Sequence, residues 1–467
     1  MSPFIVKVQP MTADSPGDSD VGLRTAVRCL VRAPLVLRSA YVAIFAVSVL
    51  FRVLLGVSAR HVLICDASDY HVLAANLMAG HGYIQVCRGD NPLVSERDNK
   101  AFDGFTLRAY RSPGYPLLLA GLYSVFGWHP AVYLGINLVA DVMTQVCAML
   151  IAAYLFGAQP ALVVQGLLAF HVLWTPNPMT ESLYTALFTL LALLIVIRTP
   201  LTSRAGALGF GLLAAAALLV RPITLCVFPV LVWRHLWPKP TWRCLPLLGL
   251  ALLPPIVTSA GWAMRNHAVL GQHVLFTTNF GYHNAPEYGI RPDAALIYYR
   301  KQGLNEAEID RELTRLEWGL AKADPAGWGK LWMRRVCDLF SLSPPWEVEA
   351  VLWDVVFPAA PDASWISSAY RASFDQYYVT YPLFAGSAIV MILRRRRLEG
   401  LWLLMLSYAV LHAAVSRGDM RLVAPLYPLL CALPAGLVSD RSREGAPVGA
   451  RRSDQLCNAD PGSNGGL

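Results

Sequence analysis

Three carboxylates and four arginines stand where an otherwise apolar chain turns polar: Asp66, Asp69 and Glu181, and Arg111, Arg221, Arg265 and Arg421. A carboxylate can take the proton of an attacking hydroxyl. An arginine fork is permanently charged and matches a phosphate through two parallel N–H bonds. Ionisable groups at membrane depth are expensive and mark functional sites. Acids and arginines gathered on one face of a membrane therefore suggest chemistry on a lipid-linked phosphate.

Asp66 and Asp69 open a stretch that runs through Tyr83. Tyr70, Leu73, Ala74 and Leu77 fall on one face at helical spacing, and Gly80 and Gly82 end the helix. Asp66 also suits the cap of a helix beginning at Tyr70. Glu181 suits the dipole at a helix N-terminus. Arg111 suits an interfacial anchor, and Arg221, Arg265 and Arg421 could snorkel to head groups. Each of these structural readings stands beside the chemical one.

Of the 467 residues, 55% are hydrophobic and 15% charged, against about 25% charge in a soluble protein. The apolar runs approach the ~20 residues that cross a bilayer core. The fold class expected is an all-α polytopic membrane protein. The net charge of +8 does not imply a nucleic-acid partner, because the arginines cluster at the ends of apolar runs, as topology-setting charge does. Residues 1–20 are polar and carry Asp14, Asp18 and Asp20, so no cleavable signal peptide is expected. Arg24, Arg28 and Arg32 recur every fourth residue; this cationic face suits anionic membrane lipids or merely sets topology.

The expected spans are 41–58, 130–155, 159–174, 180–197, 205–220, 222–236, 243–262, 380–393, 400–415 and 422–438, about ten in all. The run 113–127 is too short to cross readily and reads as an interfacial helix. This parity leaves both termini, Arg198, Arg204 and the run Arg394 to Arg397 in the cytoplasm, and it gathers the acids and arginines named above on the opposite side. The division expected is a basic cytoplasmic segment 1–40, a transmembrane catalytic module 41–262 with its first extracytoplasmic loop at 59–129, an extracytoplasmic domain 263–379, transmembrane helices 380–438, and a disordered cytoplasmic tail 439–467. Within 263–379, Asn305 and Glu308 form a capping-box pattern, and Asp310, Arg311, Arg315 and Lys322 make a polar helix face. Trp328, Trp332, Trp346, Trp353 and Trp365 suit a membrane interface. Asp141 lies mid-span and, with Gln145, reads as a polar contact between helices. Of nine cysteines, Cys65 and Cys87 flank the acidic stretch; a disulfide or two free thiols both remain open.

Several motifs occur in order: Asp66, Tyr70 and Leu77 with Gly80-His81-Gly82-Tyr83; Arg111-Ser112-Pro113-Gly114-Tyr115-Pro116; Thr180-Glu181-Ser182-Leu183-Tyr184; Leu219-Val220-Arg221-Pro222; Trp262-Ala263-Met264-Arg265-Asn266; and Arg421 with Pro425 and Pro428. Across about 41–440 the chain resembles the GT-C glycosyltransferases, in the branch of the dolichyl-phosphate-mannose–protein mannosyltransferases and the bacterial aminoarabinose transferases. The resemblance implies a GT-C-like bundle with interfacial helices in its first extracytoplasmic loop and a mainly helical extracytoplasmic segment. It implies inverting transfer of a sugar from a polyprenyl-phosphate donor to a glycan, lipid or protein hydroxyl, on the outer face of a bacterial inner membrane. Asp66 would be the base, with Asp69 as fallback, and Glu181 would position the acceptor or a metal. Arg111 would grip the donor phosphate, with Tyr70, Tyr115, Arg221, Arg265, Asn266 and Arg421 on the substrate side. Asn279, Tyr282 and His283 would line the acceptor side. A divalent metal stays an open cofactor: where the aminoarabinose branch has a metal-binding acid, this chain has Tyr110. A transporter or flippase for a lipid-linked sugar is the rival, although no internal repeat is visible. A periplasmic glycan ligase or polymerase would share both site and donor.

Overall fold

The computed structural model describes residues 19–58, 66–86, 104–171, 179–197, 201–236, 245–281, 289, 292–339, 380, 383–390, 401–415 and 424–438. Its helices in chain order are α1 Ser19–Val31, α2 Leu35–Ser58, α3 Asp66–Met78, α4 Gly114–Phe126, α5 Pro130–Phe156, α6 Ala158–Ala169, α7 Thr180–Val196, α8 Arg204–Val220, α9 Val227–Leu236, α10 Leu245–Leu270, α11 Pro292–Lys301, α12 Glu306–Ala323, α13 Pro325–Leu339, α14 Leu401–Val415, α15 Tyr427–Leu430 and α16 Ala432–Val438. Two short strands, β1 (Gln85–Val86) and β2 (Thr106–Leu107), pair antiparallel.

The chain is an integral membrane protein. Among the described residues, α2, α5 and α10 are long and apolar enough to cross a membrane, at 24, 27 and 26 residues. At ~1.5 Å per residue each exceeds the ~30 Å hydrocarbon core. Seven further apolar helices, Gly114–Phe126 among them, are shorter.

Several helix limits differ from the sequence expectation. α2 begins at Leu35, because nothing between Leu35 and Tyr41 breaks a helix and Pro34 suits the entry to one. α10 runs to Leu270, so Arg265 and Asn266 sit on its last turns rather than beyond the span. α6 stops at Ala169, short of the expected 174. The stretch from Pro222 opens with a 3-10 turn, Pro222–Cys226, and the last span is split between α15 and α16.

The core lies where α5 to α9 meet α14 to α16. Tyr184, Phe188, Phe210, Tyr408 and Tyr427 are fully buried there. α8 rides directly on α10: a Cβ on Gly211 would fall 2.5 Å from the Ala251 carbonyl oxygen. α1 docks at the far end of α7, with Gly22 against the Ile197 carbonyl. The N-terminus of α7, Thr180–Glu181, is thus at the opposite end of the bundle from α1.

At that opposite end two small cores organise the loops. Tyr70 and Ala74 of α3 pack with Tyr115, Leu119 and Tyr123 of α4 and Tyr133 of α5. Phe105, Leu107 and Tyr110 pack with Leu296 of α11 and Ile309 and Leu313 of α12. α12 starts with the full capping box, Asn305 accepting from Ala307 and Glu308 while Glu308 accepts from the Asn305 amide. Trp346, Trp353 and Trp365 lie outside the described residues.

Candidate active site

α3 begins at Asp66, four residues before Tyr70, so Asp66 and Asp69 share its first turn. There the unpaired backbone N–H groups and the helix dipole favour negative charge. Tyr70 and Leu73 of the same helix are buried, which anchors the acids at the edge of the bundle. Arg111 comes back to them from the far side of the loop. Its Nη2 donates to Asp66 Oδ1 at 2.6 Å and to Asp69 Oδ2 at 2.7 Å, and its Nε reaches Asp69 Oδ2 at 2.9 Å. Gln85 Nε2, in β1, donates to Asp69 Oδ1 at 2.5 Å. Burial pushes the Asp69 carboxyl above the usual range, and the positive charge of Arg111 opposes that shift. The guanidinium lies 4.8 Å from the Tyr110 ring centre and 5.8 Å from that of Tyr70. Tyr70 in turn meets Tyr115 edge to face at 5.4 Å.

A second charged pair sits beside the first. Glu181 is in the first turn of α7 and is buried. Arg221 follows α8 in extended conformation, which is what the following Pro222 imposes on its predecessor. Arg221 Nη2 donates to Glu181 Oε1 at 2.6 Å and to Thr180 Oγ1 at 2.9 Å, and Nε reaches the same hydroxyl at 3.1 Å. The two pairs are brought together by a glycine. A Cβ on Gly114 would stand 2.8 Å from Leu219 C and Val220 N, so the Pro113-Gly114-Tyr115 turn rests on the backbone just ahead of Arg221. Tyr70 is within electrostatic reach of both pairs. Its phenol is pushed up to about 12, first by burial and then by the Asp66 charge, while Arg111, Glu181 and Arg221 also act on it.

No protein-family model matches the chain, and no curated protein matches it. Solved structures do. The apo oligosaccharyltransferase of Archaeoglobus fulgidus superimposes with a TM-score of 0.50 at 14% identity, covering 91% of this chain and 52% of the other. The chain has the GT-C fold. The archaeal oligosaccharyltransferase AglB of the same organism, in complex with an inhibitory peptide and a dolichol-phosphate, gives 0.45 at 12% identity over 92% and 52% of the two chains. ArnT from Cupriavidus metallidurans bound to undecaprenyl phosphate gives 0.36 at 14% identity over 87% and 77%. The chain spans about half the length of the oligosaccharyltransferase chains it matches.

Within the GT-C fold the remaining candidates separate. Arg265 donates from Nη1 to the Arg108 carbonyl at 2.6 Å and from Nη2 to the Tyr83 carbonyl at 2.9 Å, and stacks on Trp262 and Tyr83. Tyr83 Oη donates to the Arg111 carbonyl at 2.9 Å. Asn266 is buried and donates to the Val274 carbonyl at 3.0 Å. Arg265 and Asn266 therefore fasten the loops to the end of α10, and neither contacts the carboxylates. Asn279 accepts from the Thr277 hydroxyl at 2.7 Å. Arg421, Tyr282, His283, Cys65 and Cys87 lie outside the described residues.

Among the described residues no three His, Cys, Asp or Glu side chains come together as metal ligands. Arg111 occupies the space between Asp66 and Asp69 that a cation would need, and Tyr110 packs into an apolar cluster. As they are paired here, these described residues do not fit a metal.

Two contributors were not singled out in the sequence. Gln85 steadies Asp69, and nothing in a short polar loop marks it. Arg52 is the other: it lies inside the first apolar run, and that placement alone was a legible signal. Its Nε pairs with Asp141 at 3.1 Å. Asp141 thus has a charged partner, as a carboxylate in a low-dielectric setting needs, and Gln145 bonds Ser48.

Proposed function

We propose that the chain transfers a sugar from a polyprenyl-phosphate donor to an acceptor hydroxyl, with inversion. On this reading the site faces the exterior of the bacterial inner membrane, the segment that follows α10 stands on that side, and both termini are cytoplasmic. The observation that carries the proposal is the pairing of Arg111 with Asp66 and Asp69, together with that of Arg221 with Glu181, both within electrostatic reach of Tyr70. Three carboxylates and two guanidinium groups leave one excess negative charge and two phosphate-binding forks in one small space.

The mechanism follows from that balance. Arg111 spends Nε and Nη2 on the carboxylates and offers its remaining edge to a phosphate oxygen. A donor phosphate competes with Asp66 for the guanidinium, so donor binding releases Asp66 to accept a proton. The acceptor oxygen attacks the anomeric carbon and its proton passes to Asp66. The bond from that carbon to the phosphate oxygen breaks, and the polyprenyl phosphate departs with the electron pair. Arg111 and Arg221 stabilise the charge that grows on the phosphate. Glu181 holds Arg221 and faces the acceptor. Asp69, held by Arg111 and Gln85, keeps the fork in register.

The reading is tested by mass spectrometry of cell-envelope glycans with and without the gene, and with Asp66→Asn in its place. Loss of one sugar from one glycan is expected in both altered strains, since a positioned base contributes about 10²- to 10⁴-fold in rate. Wild-type glycans from a well-expressed Asp66→Asn protein would sink the assignment.

A further inference from the structure

Glu306 is a buried carboxylate outside the two charged pairs. It opens α12, one residue after the Asn305 cap. Its Oε1 accepts the backbone N–H of Arg108 and of Ala109, both at 2.7 Å. The same strip is held on its other edge: the Arg108 carbonyl accepts from Arg265, and the Ala109 carbonyl accepts the Thr278 amide at 2.9 Å. Two residues further on is Arg111. Phe105, Leu107 and Tyr110 of the strip line a small, mostly apolar cavity with Glu306, Thr278 and Ile309. A carboxylate holding two successive amides resists sliding and rotation of a backbone that no long sheet supports, since β2 is only two residues long.

We propose that Glu306 is a positioning residue for Arg111: its carboxylate clamps the Arg108–Ala109 backbone, so that the start of α12 sets the affinity of the site for a phosphate ligand. This rests on the reading of Arg111 as the phosphate fork. The clamp is strongest with Glu306 ionised, because a charged acceptor forms the stronger hydrogen bonds. Burial pushes this carboxyl up to about 7, against the pull of the two amides and of Arg265. The charged and titratable groups around it are Arg265 from α10, Arg108 and Tyr110 from the clamped strip, Arg300 from α11, which stacks on Phe105, and Glu308 and Asp310 from α12. Acidification from pH 8 to pH 6 therefore loosens the clamp.

Fold stability runs the other way. The folded-state value lies above the ordinary 4.5, so the folded protein binds this proton more tightly than the unfolded chain. The stabilisation from that proton is complete below about 4.5 and is lost as pH rises through about 7. A residue that served stability alone would give its largest benefit at low pH; a clamp acts best at high pH.

The test compares wild type, Glu306→Gln and Arg111→Gln in nanodiscs. Backbone hydrogen exchange is read over residues 104–111, and binding of undecaprenyl phosphate by native mass spectrometry. At pH 8 the Arg108 and Ala109 amides of Glu306→Gln should exchange about tenfold faster than wild type, the loss of one charge-assisted bond. Wild-type binding should weaken between pH 8 and pH 6 several-fold more than that of Glu306→Gln. The phosphate's own titration is common to both proteins and cancels in that ratio. Equal exchange over 104–111, or equal pH dependence of binding, overturns the clamp. If Arg111→Gln binds the lipid as wild type does, the phosphate reading of Arg111 falls, and the exchange measurement alone decides whether Glu306 holds the strip.

Discussion

Arg52 and Arg111 are both arginines buried beside aspartates near an end of the helical bundle, yet their surroundings differ in kind. Arg52 pairs with Asp141, bonds the Ser48 hydroxyl, and donates to the carbonyls of Leu168, Ala169 and His171 at 3.1, 2.8 and 2.8 Å. It closes the C-terminal end of α6, whose last carbonyls have no helical partner. Arg111 touches no carbonyl in this way; it faces two carboxylates and two tyrosine rings. A guanidinium consumed by backbone is structural. One held mainly by acids that can be displaced is available to a phosphate.

Removing each arginine breaks or sharpens that contrast. Arg52→Ala should have the largest effect, about 3–5 kcal/mol of stability, because it breaks the ion pair with Asp141 and removes the donors to the carbonyls at the end of α6. Thermal unfolding in detergent would read it as a large loss of Tm or of folded yield. Arg52→Met with Asp141→Leu should recover only part of the loss, because the α6 carbonyls stay unmatched. Full recovery would show that the carbonyl contacts are idle.

Arg111→Gln should behave oppositely. Sugar transfer should fall about 10²- to 10³-fold, the cost of one donor aimed at developing charge. The loss of Tm should be smaller than for Arg52→Ala, since Arg52 also holds the carbonyls at the end of α6, whereas Arg111 donates to the two carboxylates. Equal destabilisation by the two substitutions would erase the distinction between them.

Much of this was legible in the sequence. Hydropathy alone marked the membrane class, and Asp66, Glu181, Arg111 and Arg221 could be singled out because polar types at apolar boundaries are costly unless used. The limits of helices were not legible. α10 continues through Arg265 and Asn266 because no Pro or Gly stands between Gly261 and Gly271, although the apolar run ends earlier. Arg265 and Asn266 look like ligands in the sequence, but they bind backbone carbonyls, and carbonyls carry no sequence signature. Glu306 was hidden for the same reason: its partners are the amides of Arg108 and Ala109, almost two hundred residues away.

Gly114→Ala tests what joins the two charged pairs. The added methyl would meet the Leu219–Val220 backbone, which has no rotamer through which to yield. Overpacking of that kind costs about 1–3 kcal/mol. Activity should drop more than stability, because the displaced turn separates Arg111 from Arg221. Unchanged transfer would mean that the two forks work independently.

The smallest effect expected is that of Arg221→Lys. Charge is retained, and a lysine can still meet Glu181. It cannot also hold the Thr180 hydroxyl as Nε and Nη2 do now, because a single ammonium lacks the planar fork. One hydrogen bond of ordinary strength, about 1 kcal/mol, should be lost. If Arg221 serves the phosphate, the loss appears as several-fold weaker binding of undecaprenyl phosphate with Tm almost unchanged. If Arg221 only ties α8 to α7, Tm falls and lipid binding does not, which would move Arg221 to the side of Arg52 and leave Arg111 as the sole fork of the site.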